Sequence, residues 1–300
     1  MEDSSQPVLS ANTLAYHGYD FARAFDEIRR IGFQYVEPAL ISGYYPEITG
    51  DFFSPRQARR FAGWIAASGL RVVAVGVHMD LGAADGIAAF LRRLDFASEL
   101  GASYAHTNSA TPSRKKTFLR NLDSLLPEAE RRGLVITLEN PGDGEDNILA
   151  SGVAGSALVR EIGSAHLRLN YDFSNVYSYS RGAVRPEEDF LHALPATAHF
   201  HLKDMVREQD HWRFVAIGRG LTDYGRILST IRRRPLPMSL ELPLRFWRDA
   251  DFWIRFDPDS EPPGLERIRQ ALASSRDFVL RGLAGSGSWP PLGPGTEVLR

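Results

Sequence analysis

Short apolar runs rich in β-branched residues alternate along this chain with longer amphipathic stretches, a pattern of repeated βα units rather than of a sandwich or a helical bundle. The apolar runs predict strands at 8–14, 33–37, 70–77, 103–107, 134–139, 167–172, 198–202 and 237–242. The amphipathic stretches predict a helix after each strand, at about 21–31, 55–68, 87–100, 114–131, 148–162, 186–194, 224–232 and 265–281. Gly32, Gly69, Gly101, Gly133 and Gly163 each follow a helical stretch, where a residue that tolerates positive φ is wanted. Ser54-Pro55 and Arg185-Pro186 place proline at a helix start, where its missing N–H costs nothing. Eight units with no linker between them predict a single (β/α)8 TIM barrel over residues 1–283. The Gly/Pro/Ser-rich run at 284–300 reads as a C-terminal tail.

Composition narrows the function. Of 300 residues, 43% are hydrophobic and 24% charged, enough for a sizeable core and against a disordered or fibrous chain. Lys and Arg number 35 against 37 Asp and Glu, a net charge of -2, so no bulk positive field draws in nucleic acid. The absence of cysteine removes disulfides, thiolate metal sites and cysteine nucleophiles together, leaving His, Asp and Glu as the strong metal ligands. The opening MEDSSQPVLS has neither a basic nor an apolar leader region, and no stretch approaches ~20 apolar residues. The expectation is a cytoplasmic protein without a membrane partner.

A barrel of this kind carries its chemistry at the C-terminal ends of its strands. Those ends are polar here: Glu37, His78, His106 with Asn108, Glu139 with Asn140, Asp172, His201 with Lys203, and Glu241. Side chains alternate along a strand, so Thr137 shares a face with Glu139, Asn170 with Asp172, His199 with His201 and Ser239 with Glu241. Glu139, Asp172, His201 and Glu241 end the fifth to eighth strands, which are neighbours in a barrel. Three converging carboxylates repel one another and take up protons unless a cation holds them, and this oxygen-rich set with one imidazole suits one divalent ion: Mn2+ first, then Mg2+, Co2+ or Zn2+.

Each residue also has a plainer reading. A strand-end carboxylate serves equally as a helix N-cap or ion-pair partner. His199 is either a core histidine or a group behind the ligands. Lys203 is either a catalytic acid or anion clamp, or the partner of Asp204. Glu37, His78, His106 and Asn108 are candidates to touch substrate hydroxyls, or else bond neighbouring loops. Trp247, Phe246, Tyr44 and Tyr45 follow strand ends, as an apolar wall for a sugar ring or as ordinary loop packing.

The chain resembles the xylose isomerase-like barrel superfamily of sugar isomerases, epimerases, related dehydratases and endonuclease IV-type enzymes. The resemblance rests on Ile31-Gly32-Phe33 with Val36-Glu37, Leu138-Glu139-Asn140, Asn170-Tyr171-Asp172-Phe173, His199-Phe200-His201-Leu202-Lys203-Asp204, Ile217-Gly218-Arg219-Gly220 before Asp223-Tyr224, and Ser239-Leu240-Glu241-Leu242-Pro243. It implies that Glu139, Asp172, His201 and Glu241 ligate one divalent metal while the two glutamates move protons on opposite faces of a bound sugar. The implied activity is isomerisation or epimerisation of a sugar, keto-sugar or polyol derivative through an enediolate, with a small carbohydrate as partner and homo-oligomers common. A lyase or dehydratase using the same enolate is the alternative, with Lys203 or His199 protonating the leaving group. Arg219 departs from the family's frequent glycine-acid pair and is either a cation for an anionic substrate or a surface arginine. The endonuclease branch is disfavoured, because Asn175 stands where that branch has histidine and 210–220 lacks its Asp-x-His pair.

Overall fold

The computed structural model describes residues 7–233 and 235–285. Its elements run β1 (Leu9–Asn12), α1 (Phe21–Ile31), β2 (Tyr35–Glu37), α2 (Pro55–Ala67), β3 (Arg71–Val72), β4 (Ala74–Gly76), α3 (Gly86–Glu99), β5 (Tyr104–Asn108), α4 (Lys115–Arg131), β6 (Val135–Glu139) and α5 (Gly152–Ile162). They continue with β7 (Leu167–Asp172), α6 (Phe173–Tyr179), α7 (Pro186–Ala193), β8 (Thr197–Leu202), β9 (Asp204–Glu208), β10 (His211–Val215), α8 (Tyr224–Ile231), β11 (Met238–Leu240), β12 (Trp247–Arg248), β13 (Ile254–Arg255) and α9 (Leu265–Ala284). Apart from Ala284 and Gly285, which close α9, the expected tail lies outside the described residues.

Nine parallel strands form one sheet in the order β3-β2-β1-β11-β8-β7-β6-β5-β4. Its two outermost strands flank Val73 in the chain, so one bent segment closes the ring: β3 pairs with β2, and β4 pairs with β5. The Val73 carbonyl at the bend accepts N–H bonds from Ser103 at 2.8 Å and Tyr104 at 3.0 Å. Beyond it, Leu40 donates to the Gly76 carbonyl at 2.6 Å and Gly76 to that of Pro38 at 2.9 Å. The unbroken strand expected at 70–77 is therefore two short ones, since one strand cannot serve both neighbours without turning. The result is a (β/α)8 TIM barrel.

The alternation read from sequence has its packing counterpart. On β6, Ile136 and Leu138 are buried with the apolar core, whereas Thr137 Oγ1 meets His106 Nδ1 inside the ring. The five helix-ending glycines all take positive φ, from 65° to 99°. Ser54 caps α2 by accepting from the Gln57 N–H, with Pro55 in the first turn. None of the described helices is long and apolar enough to cross a membrane.

Two further features depart from the sequence expectation. Strands β13-β12-β10-β9 make a separate antiparallel sheet where loops were expected. Its β9–β10 hairpin turns through Gln209 and Asp210, with Gln209 at φ 54°, so the Asn-Gly or Asp-Gly signature that marks such turns is missing. Helix α6 begins directly after β7, its N-terminus capped by Asp172 Oδ1, which accepts from the Asn175 N–H at 2.9 Å.

Candidate metal centre

Register brings the strand-end residues together. Asp172 on β7 is paired with His201 on β8, Ser239 on β11 sits opposite His201, and Glu241 follows two residues later with its N–H on the Leu202 carbonyl at 3.0 Å. Glu139 ends β6. One ligand atom from each of Glu139, Asp172, His201 and Glu241 lies within 4.8 Å of the others, and all four residues are buried. His201 Nδ1 faces Glu241 Oε2 at 3.0 Å and Glu139 Oε2 at 3.2 Å. On its other side, His201 Nε2 lies 2.8 Å from Glu37 Oε1, which also accepts from Asn12 Nδ2 at 2.7 Å. A histidine held by a carboxylate through one nitrogen presents the other with its direction fixed, the usual support for a metal-binding imidazole.

Lys203 completes the charge balance. Its Nζ sits 2.7 Å from Asp172 Oδ2 and 2.8 Å from Glu241 Oε2, whereas the Asp204 carboxylate is taken up by backbone N–H groups. The pairing of Lys203 with Asp204, one of two sequence readings, is thus not made. Burial disfavours charge on all these groups, but the mutual field outweighs it for most. His201 is held well above its ordinary value by Glu37, Glu139 and Glu241, and Lys203 is raised by Asp172 and Glu241. Glu241 is held low by Lys203 and His201, and Glu139 by His201. Asp172 is the exception, with burial pushing it up to about 6. The donor set, three carboxylates and one imidazole nitrogen whose ligand atoms lie within 4.8 Å of one another, fits a divalent cation. Asp172 does both of the jobs weighed for it: Oδ1 caps α6 while Oδ2 faces the cluster.

Glu139, Glu241 and Lys203 line a cavity of about 370 Å³, with Asp172 and His201 wholly buried behind them. His78 and Asn108 line it, with His78 Nδ1 3.2 Å from Asn108 Oδ1 and Nε2 3.6 Å from Glu139 Oε2. Tyr44, Phe246 and Trp253 supply apolar wall. Several expected substrate contacts are elsewhere. Glu37, His106 and His199 are wholly buried and do not line the cavity. Inward-facing barrel residues stack in layers, and His106 and His199 stand one layer below Asn108 and His201. Arg219 is exposed away from the cavity, on a turn whose glycine N–H groups bind Asp204. Trp247 is absent from the lining because its strand neighbour Arg248 is the residue turned inward. Arg248, unremarked in the sequence, is buried and donates to Asp143 Oδ1 at 2.7 Å and Asn175 Oδ1 at 3.2 Å. Asn175 in turn donates to Glu139 Oε1 at 3.0 Å. Sequence marked Asn175 only as a departure from the endonuclease branch and Arg248 not at all, because both sit on short unpredicted elements, α6 and β12.

Residues 25–276 match the protein family described as a xylose isomerase-like TIM barrel. No curated protein sequence matches the chain. Among solved structures, the fold is similar to a xylose isomerase-like TIM barrel protein from Mycobacterium smegmatis in complex with magnesium, with TM-score 0.69, 17% identity, and 95% of this chain and 99% of that one covered. It is also similar to an L-ribulose 3-epimerase, with TM-score 0.67, 16% identity, and 94% and 96% covered. A third is a probable 3-DHS dehydratase from Bacillus anthracis, with TM-score 0.65, 12% identity, and 91% and 98% covered. At such identities the likeness is one of fold.

Proposed function

The chain belongs to the xylose isomerase-like TIM barrel family, and on that premise we propose that it is a divalent-metal-dependent isomerase or epimerase of a keto-sugar or polyol derivative. The observation that carries this reading is the convergence of Glu139, Asp172, Glu241 and His201 Nδ1, with the two glutamates lining a polar cavity. A divalent ion held by these four supplies Lewis-acid polarisation of a substrate carbonyl. Manganese or magnesium suits the three-carboxylate set, and a neighbouring structure of the fold contains magnesium.

The chain's own groups do the rest. Glu139 at the end of β6 and Glu241 just beyond β11 reach His201 Nδ1 from different strand ends, and in this reading the two carboxylates serve the substrate carbon from two directions. One removes a carbon-bound proton and the other returns one, the arrangement that general acid–base catalysis next to a carbonyl needs. His78 and Asn108 offer hydrogen bonds to hydroxyls, and Tyr44, Phe246 and Trp253 cover the ring's apolar face. Dehydration or β-elimination is the second reading. Lys203 bears on it, because a buried ammonium lining the cavity is placed to stabilise the charge on a leaving oxygen.

Turnover of keto-sugars by the manganese-loaded chain in D2O tests both readings. Carbon-bound deuterium in an isomeric product supports the first, and a product lacking water or another leaving group supports the second. Glu139→Gln and Glu241→Gln each keep an oxygen for the ion but lose the basic carboxylate, so turnover falls by ~10²–10⁴ while metal occupancy falls only in part. Full turnover in either variant removes that residue from proton transfer, and full activity after exhaustive chelation overturns the metal requirement.

A further inference from the structure

Beneath the strand-end cluster lies a second group of metal-binding atoms that the proposed chemistry does not use: Glu37, His106 and His199, wholly buried inside the ring. Glu37 Oε2 is 3.5 Å from His106 Nε2 and 3.7 Å from His199 Nε2, and none of the three atoms has a hydrogen-bond partner.

The hydrogen bonds around them bear on which atoms carry protons. Asn170 Nδ2 donates to Glu139 Oε2 at 3.1 Å, so its Oδ1 is the atom turned to His199 Nδ1 at 2.9 Å. Flipping the amide would set its oxygen against a carboxylate. His199 Nδ1 is therefore the donor, and Nε2 of the neutral ring is a bare lone pair. The same logic holds for His106. The Thr137 hydroxyl lies within reach of the Ala105 carbonyl at 3.3 Å as well as of His106 Nδ1; when it turns to the carbonyl, Thr137 Oγ1 accepts from His106 Nδ1 and leaves His106 Nε2 bare. Glu37 Oε1 is satisfied by Asn12 Nδ2 and His201 Nε2, but Oε2 is not. In that arrangement two imidazole lone pairs and a carboxylate oxygen face one another in the buried interior of the ring. Buried acceptors in that state are costly unless a cation sits between them.

We propose that Glu37 Oε2, His106 Nε2 and His199 Nε2 form a second divalent-ion site, one layer below the strand-end cluster and richer in nitrogen than it. Bonds of ~2.0–2.1 Å at tetrahedral angles put ligand atoms about 3.3–3.4 Å apart, close to the separations seen here. Two imidazoles and one carboxylate favour Zn2+ over Mg2+, whereas the upper site, with three carboxylates, accepts either. His201 lies between the two sites, with Nδ1 toward the upper cluster and Nε2 toward Glu37, so an ion below would brace the carboxylate that aims His201.

The test is metal counting on the full chain, stripped by chelation and dialysed against ZnCl2, together with diffraction at the zinc edge from wild-type crystals. Two zinc equivalents are expected, with one anomalous peak about 2.1 Å from both His106 Nε2 and His199 Nε2. His106→Ala should lose one equivalent and keep the strand-end ion; Asp172→Ala should lose the other and keep the lower one. A wild-type map with no peak between the two histidines overturns the proposal, as does a His106→Ala variant that still binds two equivalents. If His106→Ala does not fold, the wild-type map decides alone. The outcome is separable from the proposed function, since an empty strand-end site leaves the lower peak in place and an empty lower site leaves the upper one.

Discussion

Replacing Asp204 by alanine should cost this fold a large part of its stability, for reasons that can be counted. The carboxylate is wholly buried, yet it ends four backbone donors: Oδ1 accepts from Met205 at 3.1 Å and Thr222 at 3.3 Å, and Oδ2 from Gly218 at 3.0 Å and Gly220 at 2.8 Å. Burial alone pushes its pKa up, and these N–H bonds oppose that push. Alanine leaves four N–H groups facing a void. At ~1 kcal/mol for each bond in net terms, and more for any donor that water cannot reach, the loss comes to about 4 kcal/mol, against a total of roughly 5–15 kcal/mol for a typical domain. Gly220 makes the same point from the other side, since a Cβ there would press into the Asp204 carboxylate and lie 2.6 Å from the Met205 carbonyl oxygen. Gly220→Ala should therefore be costly in the wild type and less so in the Asp204→Ala background, where the clash with the Met205 carbonyl remains but that with the carboxylate is gone. Urea unfolding followed by far-UV circular dichroism for wild type, both single variants and the double variant measures this coupling. A loss below ~1 kcal/mol for Asp204→Ala, or strict additivity of the two substitutions, would refute the account.

Other consequences are as direct. Phe61 is fully buried, with ring centroids 4.9 Å from Phe21, 5.3 Å from Trp64 and 5.6 Å from Phe96; Phe61→Ala should cost ~3–5 kcal/mol by urea unfolding, and a cost under ~1 kcal/mol would contradict that packing. Glu27 is held below its ordinary value of 4.5 by hydrogen bonding from Arg269 at 2.6 Å, against burial and with help from Arg30 at 2.8 Å. Its folded pKa being the lower one, its contribution is present in full above about 4.5 and fades as pH falls through the folded value. The gap in urea midpoint between wild type and Glu27→Gln should accordingly be full at neutral pH and shrink below pH 4, and a gap that widens in acid would reverse the sign. Returning a divalent ion to the stripped chain at 100 times its Kd adds ~2.7 kcal/mol. Over 300 residues that is a Tm rise of about 4 °C; Asp172→Ala should abolish the strand-end share, and an unchanged Tm would deny the site.

The barrel was legible because period and punctuation are local signals: apolar runs, amphipathic stretches and helix-ending glycines are each set by a few neighbouring residues. Helix α1 runs Phe21–Ile31 as the pattern places it, and β7 spans Leu167–Asp172 likewise. The strand at 70–77 breaks at Val73 because closure of the ring is a demand made by distant neighbours, and no residue there announces it. The antiparallel sheet escaped for a related reason: β12 and β13 are two residues each, too short for a period, and the β9–β10 turn uses Gln209-Asp210.

At the site, sequence alternation identifies which face a residue takes but not its depth. His106 and Asn108 share a face of β5, as His199 and His201 share one of β8, and period two treats each pair as equivalent. The barrel does not. Asn108 lines the cavity while His106 is sealed beneath it, and His201 joins the carboxylates while His199 faces Glu37. Residues expected to touch one substrate are therefore divided between two floors, the upper open to a cavity and the lower closed. That division carries chemical weight, because the upper histidine, His201, points Nδ1 at the carboxylates that border the cavity, whereas His199 below meets only Asn170, Glu37 and its buried neighbours. Where those partners leave a lone pair bare, as the Asn170 and Thr137 bonds do, the sequence motif His199-Phe200-His201 encodes two environments: one imidazole for the strand-end cluster and one for the group below it.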